Sequence, residues 1–120
     1  MDFDDYEAMV AETRIYPRWA RVIYPSMKLA GETGEFLEKT GKLIRDTDTF
    51  EDEEGNFKPY DASPSIESDD RAKELGDILW YITALALDMG YSLQDVAEMN
   101  YKKLLSRRER GMIKGSGDNR

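Results

Sequence analysis

Between residues 75 and 89 the apolar side chains recur at helical spacing: Leu75, Ile78, Leu79, Ile82, Leu85, Ala86 and Met89. Trp80, Tyr81, Ala84 and Leu87 fall between them, so the segment is apolar nearly all round. A helix of that kind does not suit a solvated surface. It is the centre of a helical fold or the seam between subunits. The pattern predicts a helix over 69–89, stopped by Gly90.

Three further helices are expected around it. One covers 4–14, with Asp2, Asp4 and Asp5 at its positive end and Pro17 beyond it. Residues 18–24 read as an ambiguous short segment ended by Pro25. The next helix covers 26–45, with Ser26 as its N-cap. Its inward set is Met27, Ala30, Leu37 and Ile44, with Gly34 and Gly41 on the same stripe. Two glycines there suggest that another backbone comes close, since each costs a helix about 1 kcal/mol against Ala. The last helix starts at Ser92, with Asp95 in capping-box position, and runs to 110. Its core face is Leu93, Val96, Ala97 and Leu104, and Gly111, Gly115 and Gly117 then make a flexible tail. No internal repeat and no strand pair stands out.

The 120 residues include no Cys and no His. That excludes disulfides, Cys/His zinc sites, iron–sulfur clusters, Cys nucleophiles and Ser-His-Asp triads. A general base must be Asp, Glu, Lys or Tyr, and a metal must be held by oxygen. The net charge of −8 argues against sequence-independent binding to nucleic acid. The longest uncharged apolar-rich run, 78–87, is half a membrane span, and the N-terminus has no basic leader-like region. A soluble cytoplasmic protein is the expectation.

Charge is unevenly placed. Residues 46–70 hold ten acids against Lys58 alone, so the rest of the chain is close to neutral. With Gly55, Pro59 and Pro64, this segment reads as a mobile acidic loop. Residues 101–120 hold seven bases against Glu109 and Asp118. A small basic region on an acidic protein suits a small anionic ligand.

Glu32, Glu35 and Glu38 are spaced three apart on one helix, and Glu74 and Asp77 repeat that spacing on another. A Glu-x-x-Glu alone is an ordinary solvated face. The second pair abuts the apolar run starting at Ile78, which makes a solvated face a weaker account of it. Carboxylates gathered at a helix pair repel unless a cation neutralises them, and Mg²⁺ takes such oxygen ligands. Asn100, Lys103 and Arg107 lie at i, i+3, i+7, with Asn100 on the apolar stripe, where a polar group needs a partner. They read either as a core amide with two surface bases or as an amide and two cations facing a polyphosphate.

The runs Gly31-Glu32-Thr33-Gly34-Glu35-Phe36-Leu37-Glu38-Lys39, Glu74-Leu75-Gly76-Asp77-Ile78-Leu79-Trp80-Tyr81 and Asn100-Tyr101-Lys102-Lys103-Leu104 followed by Arg107 resemble the MazG-like nucleoside triphosphate pyrophosphohydrolases. The resemblance covers about residues 24–120. It implies an all-α fold, a four- to five-helix bundle-like subunit that pairs helices into a homodimer or tetramer, as one domain over 1–120. It also implies Mg²⁺-dependent hydrolysis of NTPs or dNTPs to the monophosphate and pyrophosphate, with Mn²⁺ able to substitute.

Carried over by motif position, Glu32, Glu35, Glu74 and Asp77 are expected as metal ligands. Asn100, Lys103 and Arg107 are expected as substrate contacts. Lys103 and Arg107, following one helical stripe in a basic region, are further expected to bind the polyphosphate and not to build the fold. Many members have a second acid where this chain has Gly31, and Glu38 can compensate as ligand or base. Glu38 and Glu35 are therefore the candidate bases. Trp19, Tyr24, Trp80 and Tyr81 can stack on a base or simply pack. Packing is the plainer reading for Trp80 and for Trp19, and Trp19 is also carried as a candidate substrate contact. The rival reading is a non-catalytic nucleotide-binding or assembly protein on the same scaffold.

Overall fold

The computed structural model describes residues 1–46, 53–56 and 68–119. Among them are four α-helices, one 3-10 turn at Arg18–Ala20 and no strand. The helices are α1 (Phe3–Thr13), α2 (Ile23–Asp46), α3 (Ser68–Asp88) and α4 (Leu93–Glu109). Most of the expected acidic loop, 47–52 and 57–67, lies outside the described residues. The chain groups into two compact units, Met1–Ile15 with Thr83–Arg120, and Tyr16–Ile82.

In the first unit both helix starts are written in local chemistry. The Asp2 carboxylate accepts from the Asp5 amide at 2.9 Å and the Asp5 carboxylate accepts from the Asp2 amide at 3.1 Å. Ser92 and Asp95 make the same reciprocal pair at the start of α4, at 3.0 and 2.9 Å. Each box satisfies two N–H groups that a helix start leaves unpaired. Glu7 on α1 supplies one more acceptor, taking the Leu93 amide at 2.7 Å.

The end of α3 is a Schellman turn. Gly90 takes φ 84°, its N–H donates to Leu87, and the Tyr91 N–H donates to Ala86. Gly111, at φ 68°, ends α4 in the same way, with Met112 donating to the Arg107 carbonyl at 2.7 Å. The core of this unit holds Val10, Thr83, Ala84 and Ala86, and an ion pair between Arg14 and Asp88 at 2.6 Å.

In the second unit α2 begins three residues before the expected start. Ser26 is not its N-cap: its hydroxyl donates back to the Val22 carbonyl at 2.6 Å. Pro25 lies inside the first turn and is fully buried. A first-turn residue needs no intrahelical N–H partner, so proline opens this helix instead of stopping the chain before it.

The buried face of α2 also differs from the expected one. Leu29, Glu32, Phe36 and Thr40 are half-buried, whereas Met27, Ala30 and Leu37 are exposed. The Ile44 side chain is outside the described set. A Cβ at Gly34 or Gly41 would meet nothing within 4 Å among the described residues, so no other described backbone packs against them. The face bearing Glu32 packs because α3 supplies partners for it. Arg71 donates to the Thr40 hydroxyl at 2.9 Å and lies 5.0 Å over the Phe36 ring.

Candidate metal centre

Glu32 comes from the half-buried face of α2, and Glu74 and Asp77 come from one face of α3 at i, i+3. One carboxylate oxygen from each lies within 4.8 Å of the other two. Beside them Glu32, Asp77, Trp80 and Tyr81 line a cleft of about 350 Å³. Trp80 and Tyr81 meet edge to face at 4.9 Å, and Lys28 lies 6.0 Å over the Tyr81 ring.

The Glu32 carboxyl is held above its ordinary value. Burial is the main cause, followed by the charges of Glu35 and Asp77, while Lys28 pulls the other way. Burial also raises the Tyr81 phenol, helped by Tyr24 and Glu32. A cluster built only of carboxylate oxygens fits a hard divalent cation such as Mg²⁺, Mn²⁺ or Ca²⁺.

The raised Glu32 has a measurable consequence. A raised carboxyl means that the folded chain binds this proton more tightly than the unfolded chain. The stability it carries is complete below the ordinary value of 4.5 and is lost as pH rises through Glu32's own higher value. As the pH falls from 7 towards 4.5, the metal-free protein should therefore gain more melting temperature than Glu32→Gln does. Saturating Mg²⁺ should abolish that difference. Parallel melting curves for the two proteins would contradict this.

The other expected site residues are placed as follows. Glu35 is exposed; it is not one of the three converging acids, although its charge reaches Glu32. Glu38 is exposed and pairs with Lys42 at 3.3 Å. Trp19 is 83% exposed on the 3-10 turn. Asn100 is exposed, so it is not a core amide in need of a partner. Ala97 and Leu104 are exposed with it, and the half-buried positions of α4 are Leu93, Val96 and Leu105.

Arg107 is buried against the tail. It is 6% exposed, and its Nη2 donates to the carbonyls of Gly117 and Asp118 at 3.0 and 3.2 Å. The tail is thus folded back onto α4. Lys103 donates to the Asp118 carboxylate at 3.2 Å. That pairing, with Arg107 nearby, holds the Asp118 carboxyl below its ordinary value.

Two residues were missed by sequence reasoning. Lys39 on α2 donates to the Glu74 carboxylate. Its position four residues after Glu35 was the available signal, since Glu followed by Lys at i+4 marks one helix face. Asp118, the one acid after Glu109, was the other.

The sequence pattern of the MazG nucleotide pyrophosphohydrolase domain matches residues 26–112, which take in most of α2 and all of α3 and α4, with all three converging acids. The "Gene 37 protein" of Mycobacterium phage L5 is 36% identical over 126 aligned positions, covering the whole of both chains. No solved structure matches significantly. With the match extending over most of the chain, the protein belongs to the MazG nucleotide pyrophosphohydrolase family.

Proposed function

We propose that the protein hydrolyses nucleoside or deoxynucleoside triphosphates to the monophosphate and pyrophosphate, with Mg²⁺ as its cofactor. The observation that carries this reading is the convergence of Glu32, Glu74 and Asp77 inside the segment that matches the family. Those three would hold the cation, with Glu35 as a fourth ligand or as the base. Bound there, a divalent cation shields the polyphosphate charge and acidifies a water.

A water oxygen bonds to the α-phosphorus and the bond to the bridging oxygen of the β-phosphate breaks. The water's proton passes to a carboxylate, Glu35 or Glu38, and pyrophosphate leaves. We favour Glu35, because its charge already acts on Glu32 whereas Glu38 is engaged with Lys42. We assign Asn100, Lys103 and Arg107 to the polyphosphate and Trp19 to the nucleobase. Cations there stabilise charge moving onto the leaving group.

We also propose a homodimer or tetramer of one functional domain. Met27 and Leu37 on α2 and Leu75 on α3 leave apolar surface exposed that a second copy can cover. A 13.8 kDa particle in light scattering at micromolar concentration would contradict it. No helix among the described residues is long and apolar enough to cross a membrane.

The function is tested by pyrophosphate release from a panel of NTPs and dNTPs. Release should require Mg²⁺ or Mn²⁺ and stop with a chelator. Nucleotide binding without release would instead favour the non-catalytic reading.

A further inference from the structure

Three carboxylates whose oxygens lie within 4.8 Å of each other repel strongly in the absence of a cation. Two lysines stand close to them, and they differ in what they touch. Lys28 acts on Glu32 electrostatically and lies over the Tyr81 ring. Lys39 makes a direct bond, from its Nζ to Glu74 Oε1. By helical spacing Lys39 lies two turns beyond Glu32 and one beyond Glu35, so it shares their side of α2. The Glu74 side chain is 15% exposed and that of Lys39 is 46% exposed. The carboxylate is enclosed, while the ammonium sits on a flexible stem that can swing into water.

The bonded oxygen belongs to the same carboxylate that completes the acid cluster. An ammonium and a divalent cation therefore compete for Glu74. We infer that Lys39 is the resident counter-ion of the cluster, a positioning residue that ties Glu74 to α2 in the metal-free protein and yields the carboxylate when a divalent cation binds. This rests on the metal-binding part of the proposed function. It goes beyond it by predicting that a residue outside the acid motifs sets how tightly the cation is held.

A mere tether between helices makes a different forecast. The bond from Arg71 to the Thr40 hydroxyl is a link between the same two helices. Were Lys39 of that kind, its removal would lower stability and leave metal affinity alone.

The test uses the full-length protein, with Lys39→Met and Lys39→Arg. Metal-free melting temperature and Mg²⁺ and Mn²⁺ affinities by titration calorimetry are measured for each. Lys39→Met should melt several degrees lower without metal. It should bind Mg²⁺ about three- to tenfold more tightly, as expected on removing one unit charge in partly exposed surroundings. Lys39→Arg should stay near the wild type in both respects. Unchanged or weaker Mg²⁺ binding by Lys39→Met overturns the inference, even if its metal-free stability falls. If neither wild type nor Lys39→Met binds metal, the metal reading itself fails. That outcome is recognisable because the metal-free melting contrast between the two Lys39 variants is read separately.

Discussion

Asp77→Asn and Glu74→Gln should each lower pyrophosphate release by about 10²-fold or more, with helical content unchanged. The size is typical of losing a preorganised electrostatic group at a reacting centre. Each substitution is nearly isosteric, so packing is kept while one charge leaves the trio. The two should differ in stability. Asp77→Asn relieves repulsion among Glu32, Glu74 and Asp77, and the metal-free protein should melt slightly higher. Glu74→Gln relieves the same repulsion but takes the charged partner from Lys39, so it should not gain. Coupled pyrophosphate assays and circular dichroism read both effects. Turnover within a factor of three of wild type in either variant would remove that residue from the metal assignment.

The largest stability effect is expected at Arg14. Its guanidinium meets Asp88 at 2.6 Å, with the Asp88 side chain fully buried and Arg14 mostly so. Truncating one partner of such a pair leaves a charge inside low-dielectric surroundings, at a cost of about 3–5 kcal/mol. Arg14→Ala should therefore shift the urea midpoint markedly downward. Replacing both partners, as Arg14→Met with Asp88→Leu, should recover much of the loss, because an apolar pair leaves no orphan charge. A single-variant loss below about 1 kcal/mol would mean that the pair behaves as an exposed one.

How much of this was legible in the sequence follows from the range of each interaction. The capping box at Ser92 and Asp95 and the Gly90 stop involve neighbours along the chain, and residue types and spacing reveal them. The start of α2 was misplaced for a local reason too: proline after an ambiguous segment reads as a stop, although it is harmless in a first turn. The face of α2 that packs was not legible. Met27, Leu37 and the glycines look like the core stripe, and only the partners on α3 show that Leu29, Glu32, Phe36 and Thr40 face inward. The same holds for the acids. Spacing picked out Glu32, Glu35, Glu74 and Asp77, but an i, i+3 step does not say which members meet a neighbouring helix: Glu74 and Asp77 converge with Glu32, whereas Glu35 stays exposed. The fold-back of the tail was invisible because a guanidinium donating to carbonyls ten residues away has no periodic signature.

The central claim is that water attacks the α-phosphorus under the control of these carboxylates. Running the Mg²⁺-dependent reaction in ¹⁸O-labelled water and analysing the products by ³¹P NMR tests it most directly. The expected products are a nucleoside monophosphate carrying the label, together with unlabelled pyrophosphate. Labelled orthophosphate with a nucleoside diphosphate, or no Mg²⁺-dependent product at all, would contradict it.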